Sequence, residues 1–245
     1  IMSSHVDKAV NDEFLRWLNH KYGKHGELKG TRGTVHEYLG MTFRFGNGEV
    51  VVDMTDYVRD MLEEFPVKFN KKDRKVTTPA GTDLFKEDNI KKLGEKEREL
   101  FHRTVAKCLF LAKRGRPDIQ PTVAVLCSRI QAPGRKDWSK LVRMMKFLSQ
   151  TRDDVLTLSA GKGVTQLYWH VDAAFGVHPD YKGHSGGALK FPGGKGSPVQ
   201  KSCKQKINAS RSTVCEVFGA DDLLPKVLWT PLFLREQGYN VTDNV

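Results

Sequence analysis

Two carboxylates stand where phosphodiester chemistry could use them. Asp172 closes the run Gln166-Leu-Tyr-Trp-His-Val-Asp172, whose apolar residues alternate with polar ones as in a half-buried β-strand. Glu216 lies in Ser212-Thr-Val-Cys-Glu216-Val-Phe-Gly, inside the first turns of a helical pattern. Hydrolysing a phosphodiester with two Mg²⁺ (or Mn²⁺) ions needs oxygen ligands converging on metals roughly 3.5–4 Å apart. A strand and a helix face hold such ligands rigidly. The pair predicts a metal site in which Asp172 and Glu216 face each other across a sheet, neither paired to a basic residue. Two carboxylates alone make a poor cage, so at least one more acid is needed.

The elements that must position them follow from pattern. Val6 to Tyr22 carries a helical stripe ending at Gly23, and 36–45 with 49–53 flank Gly46-Asn-Gly48 as a β-hairpin. Met54 to Phe65 reads as a short helix stopped by Pro66, with Thr55 as its candidate N-cap. Residues 67–94 are charged and read as an extended, partly exposed linker. Three helices are predicted next: Glu97 to Lys113, Pro117 to Ile130, and Lys136 to Gln150. Beyond Thr151-Arg-Asp-Asp, strands are expected near 155–159, 165–172, 184–191 and 197–206, then helix from Ser212 to Gln237, broken or kinked at Pro225. No repeat of solenoid period is present.

Composition narrows the function classes. The 245 residues are 39% hydrophobic, enough for two packed units, and no apolar run approaches the ~20 residues of a membrane span. Ile1-Met-Ser-Ser-His lacks a signal-peptide layout, so a soluble, intracellular protein is expected. Cys108, Cys127, Cys203 and Cys215 are scattered without a C-x-x-C pair, and a zinc site using Cys203, Cys215, His170, His178 and His184 has no ligand pair spaced on one element. The net charge of +11 points to a polyanionic partner. Residues 1–150 hold 29 Lys+Arg against 20 Asp+Glu, so the front of the chain carries most of the excess.

A set of short signatures, in order, resembles the Pol polyproteins of copia-type LTR retrotransposons. They are His36-Glu-Tyr-Leu-Gly-Met, Phe101-His-Arg-Thr-Val-Ala with Arg116-Pro-Asp-Ile119, Asp137-Trp-Ser-Lys-Leu-Val-Arg-Met-Met-Lys-Phe-Leu, Val171-Asp-Ala-Ala-Phe, Ser185-Gly-Gly and Lys204-Gln-Lys. The resemblance spans nearly the whole chain and implies an α+β or α/β fold in three segments. Residues 1–66 would be the end of a reverse-transcriptase palm, 67–150 its helical thumb and connection, and 151–245 the start of an RNase H-like mixed sheet, truncated at its C-terminus. Tyr38, Leu39, Gly40 and Met41 would form the hairpin that positions a primer end, and Lys204 and Lys206 would contact nucleic acid. The resemblance also implies that the chain starts after the polymerase's paired aspartates and stops before the next RNase H aspartate. Asp243, in Asp243-Asn244, is a candidate substitute ligand, although the match places it in a loop ahead of the missing strand. Asp221 and Asp222 read as solvated or capping acids, and Asp180 as a turn residue. Where the family has Ser-Ser-Thr-Glu-Ala-Glu, this chain has Arg211-Ser-Thr-Val-Cys-Glu216.

The function implied is a piece of an enzyme that copies RNA into DNA and degrades the RNA of RNA/DNA hybrids. Its partners would be primer-template nucleic acid and the rest of the polyprotein, namely protease, integrase and polymerase core. It would have no membrane attachment and would reside in cytoplasmic virus-like particles with access to the nucleus. The alternative is a catalytically inactive nucleic-acid-binding remnant of a decayed or domesticated element. The fragment alone is expected to have neither polymerase nor efficient RNase H activity, although the parent polyprotein would have both.

Overall fold

The computed structural model describes residues 3, 5, 7–70, 73–87 and 91–245. It is an α+β chain of two four-stranded sheets and six α-helices among the described residues. Helix α1 (Lys8–Tyr22) is capped by Asp7, whose side chain accepts from the Ala9 amide, and it buries no residue. The expected helix start, Val6, lies outside the described residues.

The run 36–45 is two strands rather than one: β1 (Val35–Tyr38) and β2 (Met41–Gly46) are joined by Leu39-Gly40, and β2 turns through Asn47-Gly48 into β3 (Glu49–Asp53). Both two-residue turns have positive φ at both positions, 50° and 72° in the first and 53° and 73° in the second. That is the type I′ geometry whose twist suits a tight hairpin. Helix α2 (Thr55–Glu64) follows; its N-cap position is Met54, which makes no side-chain cap bond, and Asp53 accepts from the Thr55 amide at 2.9 Å. Thr55 is thus the first helical residue rather than the N-cap.

The described residues of segment 67–94 form no helix or strand of their own, yet they are fastened. The Val76 amide donates to Gln150 at 2.9 Å, Lys140 Nζ donates to the Lys86 carbonyl at 2.6 Å, and Leu84 and Leu93 are buried. Helices α3 (Glu95–Ala112), α4 (Gln120–Cys127) and α5 (Arg135–Gln150) supply the main core, with Phe101, Leu111, Leu126, Leu141, Met144 and Leu148 fully buried. Val58 and Met61 of α2 and Met41 and Val52 of the first sheet close over them.

The strand expected to open the last segment, β4 (Leu156–Ser159), pairs antiparallel with β3 and completes the first sheet. The second sheet has the order β7-β6-β5-β8, with β5 (Gln166–Ala174), β6 (His184–Lys190) and β7 (Gln200–Lys204) antiparallel and β8 (Asp243–Asn244) parallel to β5. Helix α6 (Ser212–Glu236) covers one face. It is not broken at Pro225 and continues through Pro231 as well. A proline frees the carbonyl four residues before it. For Pro231 that is Val227, whose oxygen accepts from Asn244 Nδ2 at 3.0 Å.

Candidate metal centre and nucleic-acid surface

Glycines bring α6 down onto the sheet. A Cβ on Gly219 would lie 3.2 Å from Ala173 Cβ and 3.7 Å from Val171 Cγ1, and one on Gly187 would run into Leu223. The helix therefore lies over the face carrying Val171 and Ala173. Strand alternation then turns Asp172 to the opposite face. The expectation that Asp172 and Glu216 look at each other over one face is corrected by this register, which runs without a bulge from Tyr168↔Lys190 to Ala174↔His184.

Glu216 reaches the same neighbourhood by another route. It precedes Val227 by eleven residues, which at 3.6 residues per turn leaves the two about 20° apart around the helix. Val227 marks the flank of α6 toward β8, because Asn244 bonds its carbonyl. Asp222, on the other flank, bonds Ser185 of β6. Glu216 thus overhangs the edge of β5 that faces β8, and β8 pairs with β5 only at Gln166 and Leu167. The two acids flank the free edge of β5 near its C-terminal end, Glu216 from the face under α6 and Asp172 from the opposite face. The Cys215 thiol registers both: burial pushes its pKa up, a hydrogen bond to Gln205 opposes this, and the charges of Glu216 and Asp172 push it further up. Both carboxylates are exposed, and neither has a hydrogen bond or ion pair among the described residues.

Asp243 is elsewhere. It sits in β8 rather than in a loop, opposite Gln166, whose Nε2 donates to its Oδ2 at 2.9 Å. Asp172 is six residues farther along β5, about 20 Å at a strand's rise per residue. Asp243 cannot ligate a metal shared by Asp172 and Glu216. Asn244 is equally structural: its Oδ1 accepts from Trp169 Nε1 at 3.0 Å while its Nδ2 serves Val227. Among the described residues no three of His, Cys, Asp and Glu converge as a metal cluster.

The expected nucleic-acid residues divide. Tyr38 and Leu39 are exposed at the β1–β2 turn, with Gly40 in the left-handed region, whereas Met41 is buried in the main core and offers no side chain to a ligand. Lys206 is exposed, but Lys204 Nζ is held by Asp180 at 2.8 Å. No helix among the described residues is long and apolar enough to cross a membrane.

Two groups escaped the sequence reading. Asp222 is no solvated acid: its Oδ2 accepts from Ser185 Oγ at 2.7 Å and its Oδ1 lies 3.5 Å from Lys201 Nζ. The pairing of Asp222 with a residue 37 positions away has no local signature. His178 and His184 are buried together, Nε2 to Nδ1 at 3.1 Å, with His184 Nε2 2.7 Å from Ser202 Oγ and Phe85 packed edge-on against both rings. Burial and the neighbouring His184 push the His178 pKa down to about 4. Cys203 and Cys215 belong instead to the face under α6, through Asp222 and Gln205.

Comparison with known proteins gives two relatives of one kind. The chain is 25% identical over 194 residues to the "Retrovirus-related Pol polyprotein from transposon TNT 1-94" of Nicotiana tabacum, a match covering 77% of this chain and 14% of the relative. It is 26% identical over 180 residues to the "Putative transposon Ty5-1 protein YCL074W" of Saccharomyces cerevisiae, covering 71% of this chain and 54% of the relative. The chain therefore spans only part of the length of either relative. No family model matches it, and no solved structure matches it significantly.

Proposed function

We propose, for a chain related in sequence to the Pol polyproteins of transposons, a role as part of a reverse transcriptase/ribonuclease H. In this reading residues 1–150 are the end of a polymerase palm with its thumb and connection, and the β5–β8 sheet with α6 is the start of an RNase H-like unit. The rest of the polyprotein supplies the polymerase core and completes the nuclease.

One arrangement supports the reading: an exposed acid near the C-terminal end of β5 and an exposed acid on the β8 flank of the covering helix, neither with a hydrogen bond or ion pair among the described residues and both acting on the Cys215 thiol. The donors are hard carboxylate oxygens, the kind Mg²⁺ and Mn²⁺ take. Asp172 and Glu216 would hold the ion, with water filling the remaining positions. In sites of this class the metals activate the attacking water and stabilise the leaving oxygen. Asp172 and Glu216 contribute by holding their charge unpaired at the edge, and the chain's net charge of +11 contributes by drawing the nucleic-acid backbone to the protein.

The second reading, an inert nucleic-acid-binding remnant, is favoured by the position of Asp243 at the far end of β5. A labelled RNA/DNA hybrid with Mg²⁺ or Mn²⁺ separates the two. The enzyme reading expects salt-sensitive hybrid binding and no efficient cleavage by these 245 residues, with cleavage appearing once the chain is extended by its natural continuation. Cleavage must then vanish with Asp172→Asn or Glu216→Gln. An extended chain that binds hybrid but never cleaves it supports the remnant, and absence of hybrid binding at low salt refutes both.

A further inference from the structure

Gln205, the middle residue of Lys204-Gln205-Lys206, is only 2% exposed and is bonded through every polar atom of its side chain. Its Nε2 donates to the Cys215 carbonyl at 2.9 Å and to Ser185 Oγ at 3.1 Å, and its Oε1 accepts from the Cys215 thiol at 3.3 Å. Ser185, fully buried, passes the chain on by donating to Asp222 Oδ2 at 2.7 Å. Asp222 is held in turn by Lys201, which pairs with its carboxylate at 3.5 Å and donates to its backbone carbonyl. A continuous run of hydrogen bonds thus leaves β7, crosses β6 and grips α6 twice, at Cys215 and at Asp222, two turns apart.

Between those grips the helix rests on small residues, Gly219 over Ala173 and Gly187 under Leu223. Contacts of that kind allow close approach but set little resistance to rolling. Directional hydrogen bonds do resist it. The distinction matters for Glu216, the residue next to Cys215. A carboxylate carried at ~5–6 Å from a helix axis moves by about 2 Å for a 20° roll. Ligand constellations tolerate only ~0.5 Å and 10–20° of error.

We infer that Gln205, acting through Ser185 and Asp222, is the positioning residue for Glu216: it fixes the roll and first turns of α6 so that the carboxylate overhangs the free edge of β5 beside Asp172. This rests on the metal-site reading of Asp172 and Glu216. Gln205 touches neither metal nor substrate. It holds the helix directly at the Cys215 carbonyl and, through Ser185, at Asp222.

The experiment compares the whole chain with Gln205→Met, which keeps the volume and removes the hydrogen bonds, and with Ser185→Ala, which interrupts the same run by deleting one atom. Amide hydrogen exchange and Mn²⁺ affinity, the latter from water-proton relaxation, are read on each. The expected result for both variants is exchange at least tenfold faster at Glu216–Gly219 with the β5–β6 ladder unchanged, together with Mn²⁺ binding at least tenfold weaker. Asp222→Asn, which still accepts from Ser185, should keep Mn²⁺ affinity within about threefold. Faster exchange spread evenly over β6, β7 and α6 would make Gln205 merely structural and overturn the inference. So would Mn²⁺ binding that is lost with Glu216→Gln yet unchanged in Gln205→Met and Ser185→Ala. Mn²⁺ binding indifferent to Glu216→Gln itself overturns the metal-site reading, and the inference falls with it.

Discussion

Acid should loosen the second sheet through His178. Its pKa is pushed down from 6.5 to about 4 by burial and by His184, with Lys204 adding to the shift and Asp180 opposing it. Above pH 6.5 the ring is neutral in both folded and unfolded chains and contributes nothing to pH dependence. As pH falls from 6.5 toward 4, the unfolded chain takes up a proton that the folded one refuses, so stability falls; below 4 the loss is complete. A shift of this size is worth about 3 kcal/mol at its limit, most of it reached by pH 4.5. His178 is 5% exposed, so solvent screening removes little of this. His178→Gln keeps a donor for His184 and cannot titrate. Urea unfolding followed by tryptophan fluorescence at pH 7.5, 5.5 and 4.5 compares the two chains. The variant should be the less stable at pH 7.5 and gain on the order of 2–3 kcal/mol relative to the unmodified chain by pH 4.5. Parallel pH profiles would refute the buried-histidine account, because the other titrating groups are common to both.

Three further outcomes are expected. Leu39→Gly should raise stability by roughly 0.5–1 kcal/mol in thermal unfolding, since Leu39 holds φ at 50° with its side chain exposed; a loss would mean that its apolar contacts outweigh the left-handed strain. Asp243→Ala should leave Mn²⁺ affinity unchanged while speeding amide exchange at Gln166 and Leu167, because Asp243 ties β8 to β5; a tenfold fall in Mn²⁺ affinity would contradict its placement. Hybrid binding across a salt series should lose affinity with a log–log slope of about −0.9 per phosphate neutralised if the hybrid behaves like B-DNA, and salt-independent binding would exclude a phosphate-led interaction.

Where periodicity is local, the sequence was readable. The stripes of α3 and α5 and the alternation of β5 and β6 locate those elements within a few residues, and Gly46-Asn-Gly48 marks its turn through the positive φ that Asn and Gly tolerate. Leu39-Gly40 hid the first turn, because leucine is not a residue expected at positive φ. The acids Asp172 and Glu216 were visible by type and by element, but not the face each takes, which depends on how Gly219 and Gly187 seat the helix. Asp243-Asn244 was misplaced for a related reason. A two-residue parallel strand has no pattern of its own, and its partners Gln166, Trp169 and Val227 lie 17 to 77 positions away. Pro225 and Pro231 argue locally against a continuous helix, and only the tertiary donor from Asn244 shows how Val227 is satisfied.

The most direct measurement is an Mn²⁺ titration of the ¹⁵N,¹³C-labelled chain, reading paramagnetic broadening residue by residue. A metal held at the free edge of β5 broadens Asp172, Glu216 and their neighbours first, and Asp172→Asn or Glu216→Gln removes that broadening while the rest of the spectrum stays in place. Broadening centred on Asp180, Asp221 or Asp243, or broadening at Asp172 and Glu216 that survives both substitutions, would contradict a metal site built from this pair.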